Sequence, residues 1–465
     1  MLFSSIPFLY YFLPVVLILY FIVPKKLKNL VLLVTSLVFY GWGEPKYVIL
    51  MIASILIGYV SGLLIEAFSQ KTSKIILSLS VAINLGFLGY FKYADFFIDN
   101  FNSVTGLSVP LLRIALPIGI SFYTFQILSY TVDVYRKDVP AQKNLINLAA
   151  YVTMFPQLIA GPIVRYSHIA KELENRSINV ENFAKGMRRF VLGLGKKILI
   201  ANTLGELCDI FKQSDDKSVL FYWLYAVAFM LHVYFDFSGY SDMAIGLGRI
   251  FGFNFWENFN YPFISKSATE FWRRWHMSLG TWFRDYVYIP MGGNRVSKPK
   301  WFFNIFVVWF LTGFWHGADW NFIIWGIYFA IFLILEKLVY LKYLEKSKLL
   351  SRFYLLVVVG ISFVIFNATD MKEALGYIGG MFGAGNVPFV SDEFFYYLKS
   401  FGVTLVIGLI GATPVVKKTV EAIKKNSAGA KIVAILEPVT LVALLVVMTA
   451  YLVDGSFNPF LYFRF

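Results

Sequence analysis

The clearest candidate for chemistry in this sequence is a histidine in an apolar segment, His316 in LTGFWHGADW at 311–320. A polar ring among apolar residues costs free energy unless it is hydrogen-bonded. Trp315 precedes it, and Gly313 and Gly317 share a helix face, where small residues let another backbone or a substrate approach closely. Apolar surroundings also favour the neutral imidazole that a general base requires. Two interpretations stay open, a packed histidine beside a glycine face and a catalytic base.

A second candidate, His276, lies 40 residues earlier, in SATEFWRRWHMSLGTWFRDYVYIPMGGNR at 267–295. Ser267 and Glu270 have the spacing of a capping box, which predicts a helix start, and Pro290 predicts its end. Apolar residues recur between them at helical spacing: Trp272, Trp275, Leu279, Trp282 and Phe283. The segment therefore predicts one amphipathic helix near a membrane surface, where basic residues such as Arg273 bind lipid phosphates or take part in the site.

Other polar residues have a structural and a functional interpretation each. Asp236 follows an apolar run and is expected to pair with Arg249 or Arg273, or to orient one of the two candidate histidines. Arg165 either steers an anionic donor or anchors lipid. The remaining polar candidates are predicted to be structural: His168 and His232 as hydrogen-bonded core residues, and Cys208, the single cysteine, as an inert thiol.

The composition indicates which elements must position these groups. The chain of 465 residues is 58% hydrophobic and only 15% charged, whereas soluble domains are near 45–50% apolar and about 25% charged. Nine segments are long and apolar enough to span a bilayer, and six others are shorter or more charged, among them 240–252 and 268–289. Short helices are tolerated at membrane depth only inside protein or beside a wet cavity. We therefore predict one all-α polytopic membrane domain over 1–465, with an outer ring of helices around shorter pieces.

The net charge of +14 does not indicate nucleic acid, because the basic residues are spread over short loops between apolar segments. This is the positive-inside pattern of cytoplasmic loops. It predicts an outside N-terminus and contact with the lipid bilayer, and it leaves the side of the C-terminus open. No histidine or cysteine spacing matches a metal site, so we expect none.

Several motifs together resemble one known family, the membrane-bound O-acyltransferase (MBOAT) family. They occur in consistent order over most of the chain: MFPQLIAGPIVRY at 154–166, YFDFSGYSDMAIGLGRIFGFNFWENFNYPF at 234–263, FWRRWHMSLGTWFRDYVYIPMGGNR at 271–295, LTGFWHGADWNFIIWG at 311–326 and NPFLYFRF at 458–465. The resemblance implies a ring of about 11 transmembrane helices around shorter re-entrant or amphipathic helices and a central tunnel, with a catalytic core at about 112–330.

The resemblance also implies roles for residues. The family's near-invariant histidine matches His316, which would take the proton of an attacking hydroxyl. A second polar position, Asn, Asp or His in the family, matches His276, which would donate a hydrogen bond to the developing oxyanion or orient its partner. Asn260 of the FNYPF motif, with Trp315 and the two glycines, would support the site. A covalent relay through Ser238 or Ser241 stays open.

The motifs YIPMGGNR and LIAGPIVRY resemble the alginate O-acetylation-type branch. That branch implies a bacterial multi-pass protein of the cell membrane that moves acetyl from a cytoplasmic thioester, acetyl-CoA or another donor, with no bound cofactor. The acceptor would be an extracytoplasmic polysaccharide of alginate, cellulose or peptidoglycan type, reached through a serine esterase-type (SGNH) partner transferase.

Two alternatives remain at this point. One is D-alanyl transfer to teichoic acid from a carrier-protein thioester, and the other is a non-catalytic transporter or scaffold. Asn367 stands where relatives usually have an arginine in a Phe-Arg-Ala triplet, and this departure leaves the identity of donor or acceptor open.

Overall fold

The described part of the chain is built from helices. A computed structural model describes residues 1–159 and 161–455, and within those ranges no residue is in a β-strand. The C-terminal motif NPFLYFRF lies outside the described residues. The prediction of an all-α polytopic protein is confirmed, because apolar runs can satisfy their backbone hydrogen bonds in a membrane only as helices or closed barrels.

The helices are numbered in chain order. Those before residue 215 are α1 (Leu13–Ile22), α2 (Lys28–Gly43), α3 (Val48–Ala67), α4 (Gln70–Leu88), α5 (Ala94–Thr105), α6 (Ile120–Arg136), α7 (Leu145–Thr153), α8 (Phe155–Leu158), α9 (Tyr166–Glu174), α10 (Val180–Gly195) and α11 (Thr203–Gln213). Those after it are α12 (Val219–Ile250), α13 (Ala268–Trp272), α14 (Met277–Phe283), α15 (Lys298–His316), α16 (Trp320–Leu335), α17 (Leu341–Leu344), α18 (Lys348–Asn367), α19 (Met371–Met381), α20 (Asp392–Gly411), α21 (Val415–Lys424) and α22 (Ser427–Val453). Wider π-helical turns interrupt the series at Phe8–Phe12, Gly89–Tyr93, Lys196–Asn202, Arg284–Tyr288 and Glu336–Tyr340.

Seven helical stretches of the described residues are long and apolar enough to cross a membrane. They are Pro45–Ala67, Gln70–Thr105, Val219–Ile250, Trp320–Leu344, Lys348–Asn367, Asp392–Gly411 and Ser427–Val453, with a shorter apolar stretch at Phe8–Ile22. Seven of the nine segments predicted as spans overlap these seven stretches. Of the other two, 7–23 coincides with the shorter apolar stretch, and 30–42 lies in α2, which is shorter than these stretches. The prediction of a separate short element at 240–252 is wrong, because α12 continues through it as one helix of 32 residues.

The chain forms two compact units. The first comprises 1–190 and 243–256, and the second comprises 191–242 and the described residues from 257 onwards. The core of the second unit is aromatic and contains Phe211, Tyr225, Phe229 and Phe363. Cys208 is part of this core, and burial raises the pKa of its thiol, which agrees with an inert cysteine.

The segment 267–295 differs from the expected single helix. Ser267 is the N-cap, and its hydroxyl accepts from the N–H of Glu270 at 3.0 Å, so the predicted helix start is confirmed. The helix then ends at Trp272, and a new one, α14, begins only at Met277. His276 occupies the break, with φ 43° and ψ 52°. The prediction of one continuous helix to Pro290 is wrong.

Candidate active site

His316 lies at the turn of a helical hairpin. It is the last residue of α15, and Gly317 after it is extended, with φ −161° and ψ 157°. Asp319 then caps α16 by accepting a hydrogen bond from the N–H of Trp320 at 2.6 Å. The imidazole is 8% exposed. The turn therefore holds the ring at a buried helix end, outside the repeating face of α15.

The glycines near His316 serve helix packing. A Cβ on Gly313 would lie 2.3 Å from the carbonyl oxygen of Phe322 and 3.2 Å from the Cα of Gly326. A Cβ on Gly317 would lie 2.2 Å from the ring of Phe322. The expectation that these glycines share a helix face is wrong, because Gly317 lies beyond the end of α15. Residues of α16 pack closely against both glycines.

This close approach gives a first prediction. Gly313→Ala should lower the free energy of unfolding by about 1–3 kcal/mol or more, because the new methyl group meets backbone that cannot yield. The matched control is Gly402→Ala in α20, where a Cβ meets nothing within 4 Å. Thermal unfolding of both variants in detergent checks this, and equal stability of the two would contradict the packing role.

His276 is held by a neighbouring loop. Its Nδ1 lies 3.2 Å from Oδ1 of Asn258, which also accepts from the N–H of Ser278 at 3.1 Å and from its hydroxyl at 2.9 Å. The N–H of Met277 donates to the backbone carbonyl of Asn258 at 3.0 Å. Burial lowers the pKa of the His276 imidazole to about 3, so the ring is uncharged at neutral pH.

Aromatic side chains connect the two histidines. The ring centroid of Trp315 lies 6.2 Å from that of His276 and 4.9 Å from that of His316. Phe237 meets His276 edge-on at 4.6 Å. Two further rings, Trp325 at 5.1 Å and Phe366 at 5.3 Å, stand perpendicular to His316. The structure thus brings both predicted histidines to one tryptophan inside an apolar pocket.

Two indole N–H groups in this pocket are buried without a hydrogen-bond acceptor among the described residues. They belong to Trp325 and Trp272, whose ring centroids are 5.6 Å apart. A buried donor normally has a partner. Donors of this kind suit a ligand carbonyl, such as that of a thioester.

Asp236 has a different partner from those expected. Its carboxylate lies 2.5 Å from Nζ of Lys197, and the two side chains are 2% and 1% exposed. Pairing with Arg249 or Arg273 is therefore wrong. Asp236 immediately precedes Phe237, so the ion pair lies one residue from the ring that contacts His276.

The remaining predicted residues lie in various places. Arg273 is exposed, and its backbone N–H donates to the carbonyl of Glu270 at 3.1 Å. Asn260 is exposed too, and its backbone bonds Arg274 twice. Its N–H donates to the backbone carbonyl of Arg274 at 2.9 Å, and its carbonyl accepts from the Arg274 guanidinium at 3.1 Å. Arg165 is buried in the first unit as the N-cap of α9. The buried amide at His276 is therefore Asn258, two residues before the predicted one.

Asn367 directly follows Phe366, whose ring packs on His316. Its Nδ2 donates to the hydroxyl of Tyr225 at 2.8 Å, and its carbonyl accepts from Nζ of Lys212 at 3.4 Å. A cation therefore remains beside this position although the residue itself is neutral.

The other polar candidates take no part in the pocket. His232 bonds the carbonyl of Ala201 through Nδ1 at 2.6 Å, which confirms a core histidine. His168 is half-buried and stacks on Trp256 at 3.7 Å, so its assignment to the core is wrong. The hydroxyls of Ser238 and Ser241 are buried and bond no histidine in the described structure, which disfavours a serine relay, since a nucleophilic serine needs an adjacent base.

Comparison with known proteins identifies the family of the chain. A model of the membrane-bound O-acyltransferase family matches residues 72–378, a range that contains both histidines, Asn258 and the hairpin. The chain belongs to the membrane-bound O-acyltransferase family. This protein is thus an acyltransferase, and its apolar helices agree with a multi-pass membrane protein.

Individual relatives place it in the alginate O-acetylation-type branch of the O-acyltransferases. A "Probable alginate O-acetylase" of Azotobacter vinelandii is 44% identical over 395 residues, 83% of this chain and 79% of that one. A "Peptidoglycan O-acetyltransferase" of Helicobacter pylori is 34% identical over 426 residues, 83% and 81% of the two chains. A "Teichoic acid D-alanyltransferase" of Bacillus subtilis is 32% identical over 228 residues, 46% and 57%.

Three residues of the candidate site escaped sequence reasoning. Asn258 offered a signal, because it is an asparagine in the same aromatic segment, FNFWENFN, as Asn260. Trp325 looked like any aromatic residue of an apolar helix. Lys197 in GLGKKILIAN offered a signal, because a lysine followed by an apolar run suggests a buried partner.

Proposed function

We propose that this protein transfers an acetyl group from a cytoplasmic thioester toward an extracytoplasmic polysaccharide. The observation that carries the proposal is the burial of His316 and His276 against one tryptophan. Nearby, the indole N–H groups of Trp325 and Trp272 have no acceptor in the described part of the chain. The similarity to proteins named alginate and peptidoglycan O-acetylating enzymes favours a polysaccharide acceptor of alginate, cellulose or peptidoglycan type.

The proposed chemistry is transfer from the thioester to an acceptor hydroxyl in one step, without an acyl-enzyme intermediate. His316 takes the proton of the acceptor hydroxyl while its oxygen attacks the thioester carbonyl carbon. The C–S bond then breaks, and the same proton passes to the leaving thiolate, so that ester and thiol are the only products. The indole N–H of Trp325 donates to the carbonyl oxygen as negative charge develops there. His276 orients the acceptor.

The proposal includes an architecture and a setting. About 11 transmembrane helices form a ring around shorter helices and a tunnel, in a single domain over 1–465 with a catalytic core at about 112–330. The protein spans the cell membrane of a bacterium, with the basic loops in the cytoplasm. Acetyl-CoA supplies the acyl group, no cofactor is bound, and an SGNH-type partner completes transfer to the polysaccharide. Arg165 and Arg273 are candidates for contact with an anionic donor.

A second acyl donor has support from relatives named teichoic acid D-alanyltransferase. The similarity to a teichoic acid D-alanyltransferase covers 46% of this chain and suggests D-alanyl transfer from a carrier-protein thioester as the runner-up. A non-catalytic transporter or scaffold is disfavoured by family membership, since the matching family is one of acyltransferases.

The donor test uses the purified full chain in nanodiscs. With an SGNH-type partner and acceptor polysaccharide present, we expect release of free thiol from radiolabelled acetyl-CoA, and no consumption of a D-alanyl carrier protein offered at the same concentration. Consumption of the carrier-protein thioester alone would move the protein to the D-alanyl alternative. A well-folded protein that consumes neither, alone or with an SGNH-type partner and polysaccharide, would overturn the proposal.

A further inference from the structure

The amide of Asn258 is fixed in one orientation by a backbone group. The N–H of Ser278 lies in the first turn of α14, where helix N–H groups have no partner inside the helix. It points at Asn258 at 3.1 Å, and a backbone N–H can only donate. The atom facing it must therefore be the amide oxygen, because the opposite orientation would bring two donors together.

The same oxygen faces His276. Its distance to Nδ1 is 3.2 Å, and an amide oxygen has no hydrogen to give. A hydrogen bond between them requires the proton on Nδ1. The ring is uncharged because it is buried, and a neutral imidazole has one N–H, so its other nitrogen, Nε2, has a lone pair.

Helix α14 explains why this task falls to Asn258. His276 is the N-cap residue of α14, but its side chain makes no capping hydrogen bond. Asn258 supplies both missing acceptors, its backbone carbonyl to Met277 and its side chain to Ser278. The imidazole therefore does not cap the helix, as an N-cap side chain normally does.

We propose that Asn258 is a positioning residue that holds His276 in the Nδ1–H tautomer, with Nε2 as a hydrogen-bond acceptor for the attacking hydroxyl. This rests on the proposed function for the identity of the hydroxyl, but the tautomer itself does not. The family resemblance implies two roles for His276. Donation of a hydrogen bond to the oxyanion does not fit this tautomer, because Nε2 has no proton and can only accept a hydrogen bond. The other role, orienting its partner, remains.

The tautomer can be read without any substrate. The chain has four histidines, so uniform ¹⁵N-histidine labelling in lipid bilayers gives few signals for solid-state NMR, and a His276→Asn sample assigns those of His276. We expect a protonated Nδ1 and an unprotonated Nε2 in the wild type, and a mixture of tautomers in Asn258→Leu. A wild-type ring protonated on Nε2 would overturn the proposal, whatever the outcome of the donor test.

Activity gives the second readout. Asn258→Leu should lower the rate by about 10–100-fold, as loss of a group that orients a functional histidine does. Asn258→Asp keeps the acceptor oxygen and loses no hydrogen bond, because Nδ2 of Asn258 has no acceptor within the described residues. The new carboxylate favours the imidazolium form of His276 and should raise its pKa.

Asn258→Asp should therefore approach wild-type rates at high pH and lose activity at a higher pH than the wild type as the medium is acidified. If Asn258 has a purely structural role, the rate of each variant should fall in proportion to its loss of stability. The pH dependence of the rate should then keep the shape of the wild type. That outcome would contradict the positioning role. If the wild type is inactive, the proposed function fails and the NMR test still decides the tautomer.

Discussion

Replacing His316 with glutamine or alanine is expected to lower the rate of acyl transfer by about 10²–10⁴-fold, the usual contribution of a positioned acid–base group. The ring is buried at the end of α15 and is enclosed by Trp315, Trp325 and Phe366. Water has little access there to replace the lost base. Loss of free thiol release from the thioester donor, measured at saturating donor, is the readout.

The control for His316 is His168→Ala. His168 belongs to the first unit, is half-buried and stacks on Trp256, so its loss should leave the rate within a few-fold of the wild type. Thermal unfolding must show that both variants fold. A folded His316→Ala protein that retains the wild-type rate would exclude His316 as the base.

A second large effect is expected at the buried ion pair. Removing one partner, by Asp236→Ala or Lys197→Met, should lower the free energy of unfolding by about 3–5 kcal/mol, because it leaves an uncompensated charge in the interior. The reason for the burial is local: a Cβ on Gly239 would lie 2.7 Å from the carbonyl of Gly193, so α12 and the chain before Lys197 approach closely.

The adjacent pair provides a matched control. Lys196 and Asp242 also form an ion pair, at 2.6 Å, but their side chains are 30% and 19% exposed. Breaking it should cost only about 0–1 kcal/mol. The double variant Lys197→Met/Asp236→Leu should recover most of the stability lost in the single variants. Equal costs for the two pairs in chemical unfolding would show that burial is not the deciding factor.

The sequence predicted the class of fold, because composition decides it. It also singled out two histidines that the structure brings to one tryptophan. It did not predict the break at His276. Trp272, Trp275 and Leu279 keep helical spacing across it, since hydrophobic spacing reports which side chains are buried and not whether the backbone hydrogen bonds continue. In the structure, Trp272 packs on Trp309, and Trp275 packs on Phe363.

Partners distant in sequence were the second source of error. The sequence indicates an arginine as a partner of Asp236, but its partner is Lys197, which lies in a π-helical turn. No residue pattern predicts such a turn. The same holds for Asn258, which was two positions from the asparagine chosen. Local chemistry marks a residue as a candidate, but tertiary packing decides which of two similar candidates faces the site.

The backbone at His276 also restricts what this position can become. Its φ of 43° lies in the left-handed region, which few residues other than glycine enter, with asparagine, aspartate and histidine enriched among those that do. These three are also side chains able to hydrogen-bond a substrate, and the family resemblance implies the same three here. A library at position 276 should therefore be nearly empty of functional members outside this set, because backbone geometry and chemistry select the same side chains independently.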